Sequence, residues 1–147
     1  MPLTIRKAES HDVQSLCFLI KCLNGGAITS ELVENRLAYV EKSPVDYMYV
    51  CVKDEIVVGF LGFRIRTNIE EVSMFGEISA IVVHPDERGQ GIGRYMVKYA
   101  ENRSKELGCI GLWLVSGFSR EEEAHKFYQQ MGFRITGYRF VNIFEKQ

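Results

Sequence analysis

The sequence has little of several features that would decide its class at once. It has no excess of positive charge, since 18 Lys and Arg residues against 19 Asp and Glu residues give a net charge of -1, which argues against a nucleic-acid partner. No apolar run approaches the ~18 residues of a membrane span. The early charges of Arg6, Lys7 and Glu9 leave no room for the apolar core of a signal peptide. We therefore expect a cytoplasmic protein without a membrane partner.

The sequence is also poor in metal and disulfide motifs. Its three histidines are dispersed, and its four cysteines show neither Cys-x-x-Cys spacing nor the density of a disulfide framework. Cys17 and Cys51 fall in apolar segments, which predicts buried thiols in a reducing compartment. Because no metal-ligand spacing is present, we expect no metal cofactor.

What is present is the composition of one globular domain. The chain has 147 residues, of which 46% are hydrophobic and 25% charged, and it contains no repeat or linker, so we predict a single domain over residues 1–147. Hydrophobic periodicity and turn residues predict a mixed α/β fold. The predicted strands span 3–7, 47–53, 56–67, 75–83, 109–115 and 133–144, and the predicted helices span 10–23, 30–43, 91–107 and 120–131. The strands ending at Val83 and Val115 are joined by a helix, so they should be parallel neighbours.

A glycine-rich turn follows the strand that ends at Val83. The chain passes Pro85, then Gly89, Gly91 and Gly93, and enters a helix. Glycines allow backbone N–H groups to point inward, and a helix N-terminus adds partial positive charge, so this pattern predicts a cradle for phosphate. A plain strand-to-helix turn is the alternative. No Lys-Ser/Thr follows the last glycine, which excludes a nucleotide-triphosphate loop, and the spacing is a poor dinucleotide fingerprint.

Two segments resemble the signatures of the GNAT N-acyltransferase superfamily, in the right order along the chain. The first resembles the acyl-CoA pyrophosphate signature Gln/Arg-x-x-Gly-x-Gly/Ala, and reads Arg88-Gly89-Gln90-Gly91-Ile92-Gly93. The second reads Ala124-His125-Lys126-Phe127-Tyr128, followed by Met131-Gly132-Phe133. The resemblance implies a central mixed β-sheet flanked by helices, and acetyl-CoA as cosubstrate. It also implies that the main chain of residues 88–93 binds the pyrophosphate, while Val83 backbone groups hold the pantetheine arm and the thioester.

The resemblance also suggests two catalytic residues. Tyr128 matches a tyrosine that protonates the departing CoA thiolate in many members, although it would also suit simple packing beside Phe127. Glu77 matches a strand glutamate that accepts the amine proton in some members. Counting back by two from Val83 puts Glu77 on the same strand face. A solvated glutamate at a frayed strand end is the alternative.

The acceptor and the partners are less determined. We expect the acceptor to be the primary amine of a small molecule. If the protein is an enzyme, the alternative acceptor is a peptide N-terminus or lysine. The alternative from another class is a non-catalytic acyl-CoA-binding module. Carboxylates in the first helices and hairpin loops either attract a cationic amine or simply face water; they are Glu31, Glu34, Glu41, Asp46, Glu70 and Glu71. The loop before the second signature lacks the asparagine of many members, and Ser116 or Ser119 would have to replace it. The resemblance also implies a homodimer, with residues 138–144 as the segment that would pair across it.

Overall fold

The computed structural model describes residues 2–26, 28–116 and 121–144, without the side chain of Glu121. The chain divides into two compact units, Met1–Leu114 and Val115–Gln147. The prediction of one domain over residues 1–147 stays a prediction.

The first unit contains a sheet and three helices. Its strands are β1 (Leu3–Lys7), β2 (Asp46–Lys53), β3 (Ile56–Asn68), β4 (Ser73–Val83) and β5 (Gly111–Leu114). Its helices are α1 (Val13–Asn24), α2 (Ser30–Lys42) and α3 (Ile92–Glu106), with short 3₁₀ turns at Ser10–Asp12 and Pro85–Glu87. The second unit contributes α4 (Glu121–Gln130).

The strands lie in the order β1-β2-β3-β4-β5. The first four pair antiparallel with their neighbours, whereas β4 and β5 pair in parallel and are joined through α3. The predicted mixed α/β fold and the predicted parallel pair are therefore confirmed. A parallel pair requires a long crossover, which is the role that α3 performs here.

Local sequence explains most element ends. Thr29 caps α2 by accepting a hydrogen bond from the Leu32 N–H at 3.1 Å, and Gly25 ends α1 with a φ of 72°. The turn between β2 and β3 places Asp54 and Glu55 at positive φ values of 50° and 65°, as a tight two-residue hairpin requires.

The helix α1 begins at Val13 and not at the predicted residue 10. A 3₁₀ turn comes first, and the buried Asp12 accepts hydrogen bonds from the Glu9 N–H at 2.8 Å and from two Arg6 nitrogens at 2.7 and 2.9 Å. Burial by itself raises the pKa of Asp12, but these hydrogen bonds and the Arg6 charge outweigh burial and lower the pKa overall. Asp12 thereby joins the end of β1 to the beginning of α1.

Apolar side chains pack on both faces of the sheet. One core cluster joins α1 and α2 to the sheet through residues that include Leu16, Val33, Phe60 and Val82. On the other face, α3 approaches very closely, because a Cβ added at Gly59 would lie 2.9 Å from Met96. The predicted buried thiol is confirmed at Cys51. Cys17 is only half-buried.

The predicted strand or strand pair over residues 133–144 is wrong. These residues are described, and none of them lies in a helix or a strand. Apolar and aromatic residues favour a strand, but a strand also needs a neighbour to take its backbone hydrogen bonds, and the pattern cannot supply one. The homodimer proposed through residues 138–144 stays a prediction. Among the described residues, no helix has both the length and the apolar character needed to cross a membrane.

Replacing Gly76 by Ala should destabilise the first unit, because there is no space for the new methyl group. Its Cβ would overlap Ser104 Oγ and lie 2.9 Å from a ring carbon of Phe63. Overpacking of this kind costs about 1–3 kcal/mol, which urea unfolding of the variant should report. Gly26→Ala is the matched control, since a Cβ there meets nothing within 4 Å. Equal unfolding free energies for the two variants would contradict the expectation.

Candidate active site

The glycine-rich turn forms an open backbone surface between β4 and α3. Gly89 and Gly91 adopt positive φ values of 79° and 82°, and a Cβ placed at either would meet nothing within 4 Å. Gly91 is also the N-cap of α3. Within the described part of the chain, the backbone N–H groups of Gly91, Ile92 and Gly93 donate to no backbone carbonyl outside the helices and strands. Donors without acceptors at a helix N-terminus suit a phosphate oxyanion.

The remaining predicted cofactor residues lie at the edges of this turn. Val83 is the last residue of β4, opposite Gly59 of β3. Arg88 follows the 3₁₀ turn in extended conformation and is exposed. Ile92 begins α3 and is buried at 2% exposure, so its side chain anchors the helix while its backbone faces the turn.

A lysine that the sequence did not single out braces the turn. Lys53 Nζ at the end of β2 lies 2.6 Å from Glu87 Oε1 and 2.8 Å from Gln90 Oε1. Both bonds join residues more than thirty positions apart, so no local pattern signals them. Lys53 therefore links the β2–β3 hairpin to the turn and fixes the Gln90 side chain.

His84 acts as a cap rather than as a free group at the turn. Its Nδ1 accepts a hydrogen bond from the Asp86 N–H at 3.1 Å, and its ring stacks on Phe18 with ring centroids 4.8 Å apart. These contacts fix the first residues after β4.

Strand β4 contains a bulge that changes its face pattern. In its ladder with β3, Gly62 pairs with Ala80 and Phe63 with Ile78, so Ser79 is left without a partner. An extra residue of this kind reverses the alternation of side chains on either side of it.

Glu77 consequently lies on the opposite face from the one predicted. Val82 packs in the α1–α2 core cluster, so Val83 points toward the α3 face. A Cβ at Gly76 would meet Ser104 of α3, so Glu77, the next residue, points toward the α1–α2 face. The prediction that Glu77 and Val83 share a face is wrong, because the bulge at Ser79 lies between them.

The contacts of Glu77 exclude a frayed, solvated carboxylate. Its side chain is 14% exposed, and its Oε1 lies 3.5 Å from Nη1 of Arg66. The Arg66 guanidinium in turn lies 5.6 Å from the ring centroid of Trp113, which pairs with Glu77 across the β4–β5 ladder. Glu77 is therefore positioned within the sheet and held beside a positive charge.

In the second unit, Tyr128 lies on α4 in an aromatic environment. Its ring centroid is 5.1 Å from that of Phe127 and 5.7 Å from that of Phe133. Gly132, with a φ of 95°, turns the chain so that the Phe133 N–H donates to the Tyr128 carbonyl at 3.0 Å. Burial raises the pKa of Tyr128, which keeps the phenol protonated at neutral pH. The packing expected beside Phe127 is therefore present, and it leaves the hydroxyl able to donate a proton.

The other polar candidates separate into exposed and paired groups. Exposed carboxylates are found at Glu31, Glu34, Glu41, Glu70 and Glu71. Asp46, by contrast, bonds Arg64 at 2.7 Å. Ser119 lies outside the described residues, and Ser116 follows β5 directly. No three His, Cys, Asp or Glu side chains within the described ranges are grouped so that they could hold a metal ion.

Known proteins resemble the chain over most of its length. Residues 13–133 match the family described as the acetyltransferase (GNAT) family. An aminoalkylphosphonate N-acetyltransferase of Salmonella typhimurium is 26% identical over 137 residues, which are 93% of this chain and 88% of that protein. A peptidyl-lysine N-acetyltransferase of Escherichia coli is 33% identical over 60 residues, which are 41% of this chain and 37% of that protein.

A solved acetyltransferase structure is also similar to this chain in fold. The crystal structure of a glucosamine-6-phosphate N-acetyltransferase from Arabidopsis thaliana superposes with a TM-score of 0.84 at 19% identity, covering 99% of this chain and 100% of that one. At this identity the likeness concerns the fold alone.

The variant Gly91→Asn should show whether the turn needs only a residue that tolerates positive φ or also needs the empty space beside its backbone N–H groups. Asn tolerates positive φ better than other side chains, so the melting temperature should change little. Its side chain would occupy the space beside the free N–H groups, so CoA affinity should fall by about 10-fold, the effect of losing ~1.4 kcal/mol. Isothermal titration of CoA measures this effect.

Gly25→Asn is the control, because Gly25 also has positive φ, at 72°, and open surroundings, but it ends α1. CoA binding unchanged in Gly91→Asn would argue against the turn as the pyrophosphate site.

Proposed function

We propose that this chain, which belongs to the GNAT acetyltransferase family and is an acyl-CoA-dependent N-acetyltransferase, acts on small molecules. It would transfer the acetyl group of acetyl-CoA to a primary amine of its acceptor. The observation that carries this proposal is the set of backbone N–H groups at Gly91, Ile92 and Gly93 that donate to no backbone carbonyl outside the helices and strands of the described chain. They lie at the N-terminus of α3, after the turn that follows β4. These groups suit the pyrophosphate of CoA. The family's enzyme class sets aside a non-catalytic acyl-CoA-binding module.

We propose direct attack in a ternary complex, without an acyl-enzyme. The acceptor nitrogen bonds to the thioester carbonyl carbon, the C–S bond breaks, and the thiolate of CoA leaves with the bonding electrons. Neither signature contains a cysteine, and burial raises the pKa of the Cys51 thiol to about 11, which leaves it a poor nucleophile at neutral pH.

In this proposal the two acid–base groups have opposite tasks. Tyr128, which burial helps to keep protonated, gives its proton to the departing thiolate, and its phenol is restored by the second proton that the acceptor nitrogen loses as the amide forms. Glu77 accepts a proton from the acceptor ammonium, directly or through water, because only the neutral amine carries a lone pair for attack. The ion pair with Arg66 orients the carboxylate of Glu77.

A peptide lysine is the second candidate acceptor. The partial match to a peptidyl-lysine N-acetyltransferase favours it, whereas the match over 93% of this chain is to an enzyme of aminoalkylphosphonates. The greater coverage supports the small-molecule acceptor. Release of CoA thiol from acetyl-CoA, measured across small amines and lysine peptides, discriminates the two, because higher turnover of peptides than of every small amine would favour the peptide reading.

Tyr128→Phe should lower kcat by about 100-fold or more, the usual contribution of a positioned general acid. The KM for acetyl-CoA should stay within about twofold of wild type, because the hydroxyl acts on the leaving group and not on binding. Steady-state release of CoA thiol measures both constants. Tyr138→Phe, at an exposed tyrosine of the same unit, serves as the control. Weakened acetyl-CoA binding with kcat intact would refute this role.

Glu77→Gln should lower kcat/KM at pH 7 by about 100-fold. The loss should shrink as the pH rises toward the amine pKa of ~10, since more of the acceptor is then already deprotonated. A pH–rate profile of CoA thiol release, beside the exposed Glu71→Gln control, provides the test. An equal loss at every pH would indicate a structural role and contradict Glu77 as the proton acceptor.

A further inference from the structure

A cavity of about 350 Å³ opens on the α1–α2 face of the sheet, the face to which Glu77 points. Part of its lining is apolar and includes Ile20, Val33 and Phe60. Three charged residues also line it, and they come from three different elements: Arg36 of α2, Asp46 of β2 and Arg64 of β3. A cavity with an apolar wall and a few convergent charged groups is the usual form of a small-molecule site.

The β4 bulge forms part of the wall of this cavity. Both Ser79 and Gly62 line it, and a Cβ at Gly62 would lie only 2.7 Å from Ser79 Oγ. Gly62 is therefore required for the close approach of the bulge to β3. The same irregularity that turns Glu77 to this face thus shapes the cavity.

Among the described residues that line the cavity, Asp46 is the one carboxylate, and both of its oxygens have a partner. Asp46 Oδ1 accepts from Arg64 Nε at 2.7 Å, and Asp46 Oδ2 accepts from Ser43 Oγ at 2.8 Å. Asp46 therefore fixes the Arg64 guanidinium in place.

The two arginines, by contrast, retain free donors. Nothing in the described chain accepts a hydrogen bond from Arg64 Nη1 or Nη2, or from any nitrogen of Arg36. Guanidinium groups bind carboxylate and phosphate-type oxygens in bidentate fashion, and more strongly than neutral donors do. The free hydrogen-bonding capacity of the charged lining is thus cationic and suited to an oxyanion.

Glu77 lies on the same face of the sheet as Arg64. The two residues are directly opposed in the β3–β4 ladder, where Cβ atoms of opposed residues lie about 4.5–5.5 Å apart. Glu77 is not itself a lining residue of the cavity, so a ligand whose oxyanion is bound in the cavity would extend along this face to present an ammonium to Glu77.

We propose that the acceptor is a primary amine that also carries an oxyanion, and that Arg36 and Arg64 bind this anionic end. This inference rests on the proposed function, since it places the reacting amine at Glu77. A diamine would bring its second ammonium against two guanidiniums, and like charges at this range repel. A lysine side chain would leave the arginines without a ligand.

The substrate test compares three amines of similar length at saturating acetyl-CoA. They are 2-aminoethylphosphonate, the neutral ethanolamine and the cationic 1,3-diaminopropane, with O-phosphoethanolamine added to separate phosphonate from phosphate. We expect kcat/KM for 2-aminoethylphosphonate to exceed that for ethanolamine by about 100-fold, as two charge-assisted contacts would give. Equal rates for the phosphonate and ethanolamine, or preference for the diamine, would overturn the inference.

The variant test separates recognition from chemistry. Arg36→Gln should raise the KM for 2-aminoethylphosphonate about 10- to 100-fold with kcat nearly unchanged, and should leave ethanolamine kinetics unaffected. Arg64→Lys keeps a positive partner for Asp46 but loses the planar fork, so it should show the same KM effect without unfolding. Lys105→Gln on α3, which packs on the other face of the sheet, removes one exposed charge as the control. Equal KM changes for both amines would overturn the inference.

Binding distinguishes failure of this inference from failure of the proposed function. Isothermal titration of 2-aminoethylphosphonate into the CoA-bound protein should give a heat that Arg36→Gln removes. If no amine were acetylated but this binding persisted in wild type alone, the proposed function would fail while the anion site stood. If ethanolamine were acetylated and the phosphonate did not bind, the proposed function would stand and the anion site would fail.

Discussion

Strand β4 pairs antiparallel with one neighbour, β3, and parallel with the other, β5. The rest of the first unit is arranged around that constraint. Its antiparallel ladder with β3 requires only a turn of a few residues, whereas its parallel ladder with β5 requires a crossover. Helix α3 is that crossover, and its N-terminus must therefore begin beside the carboxyl end of β4. The glycine-rich turn lies at that junction, so the free backbone donors and the positive end of α3 come together as a consequence of topology.

The bulge at Ser79 is the second decisive feature, because it reverses which face of the sheet the side chains of β4 point to. Above the bulge, Val82 packs against the α1–α2 core while Val83 leads into the turn. Below it, the reversed alternation sends Glu77 toward the α1–α2 face. The apolar core and the placement of a half-buried carboxylate are thus reconciled by a single extra residue, which the absence of a side chain at Gly62 accommodates.

Ion pairs then distinguish the charged side chains that brace the fold from those that have no protein partner. Asp46 and Glu87 are bound by Arg64 and Lys53, so these carboxylates brace the hairpin and the turn. Among the described residues that line the cavity, Arg36 and the outer nitrogens of Arg64 are left without a protein acceptor. Simple counting of acidic residues near the first helices would favour a cationic acceptor, but one of those carboxylates, Asp46, is already paired with Arg64.

The sequence by itself determined the strands and helices of the first unit, the hairpin at Asp54 and Glu55, the parallel crossover and the glycine turn, because each depends on local periodicity or on backbone freedom at a few positions. It did not determine the strand expected over residues 133–144, because strand pairing needs a partner that no local pattern supplies. The tertiary structure alone decided the face of Glu77, the hydrogen bonds from Lys53 to the turn and the placement of Arg36 and Arg64 on the wall of one cavity. A bulge exists only relative to the neighbouring strand, and these contacts join residues far apart in the chain.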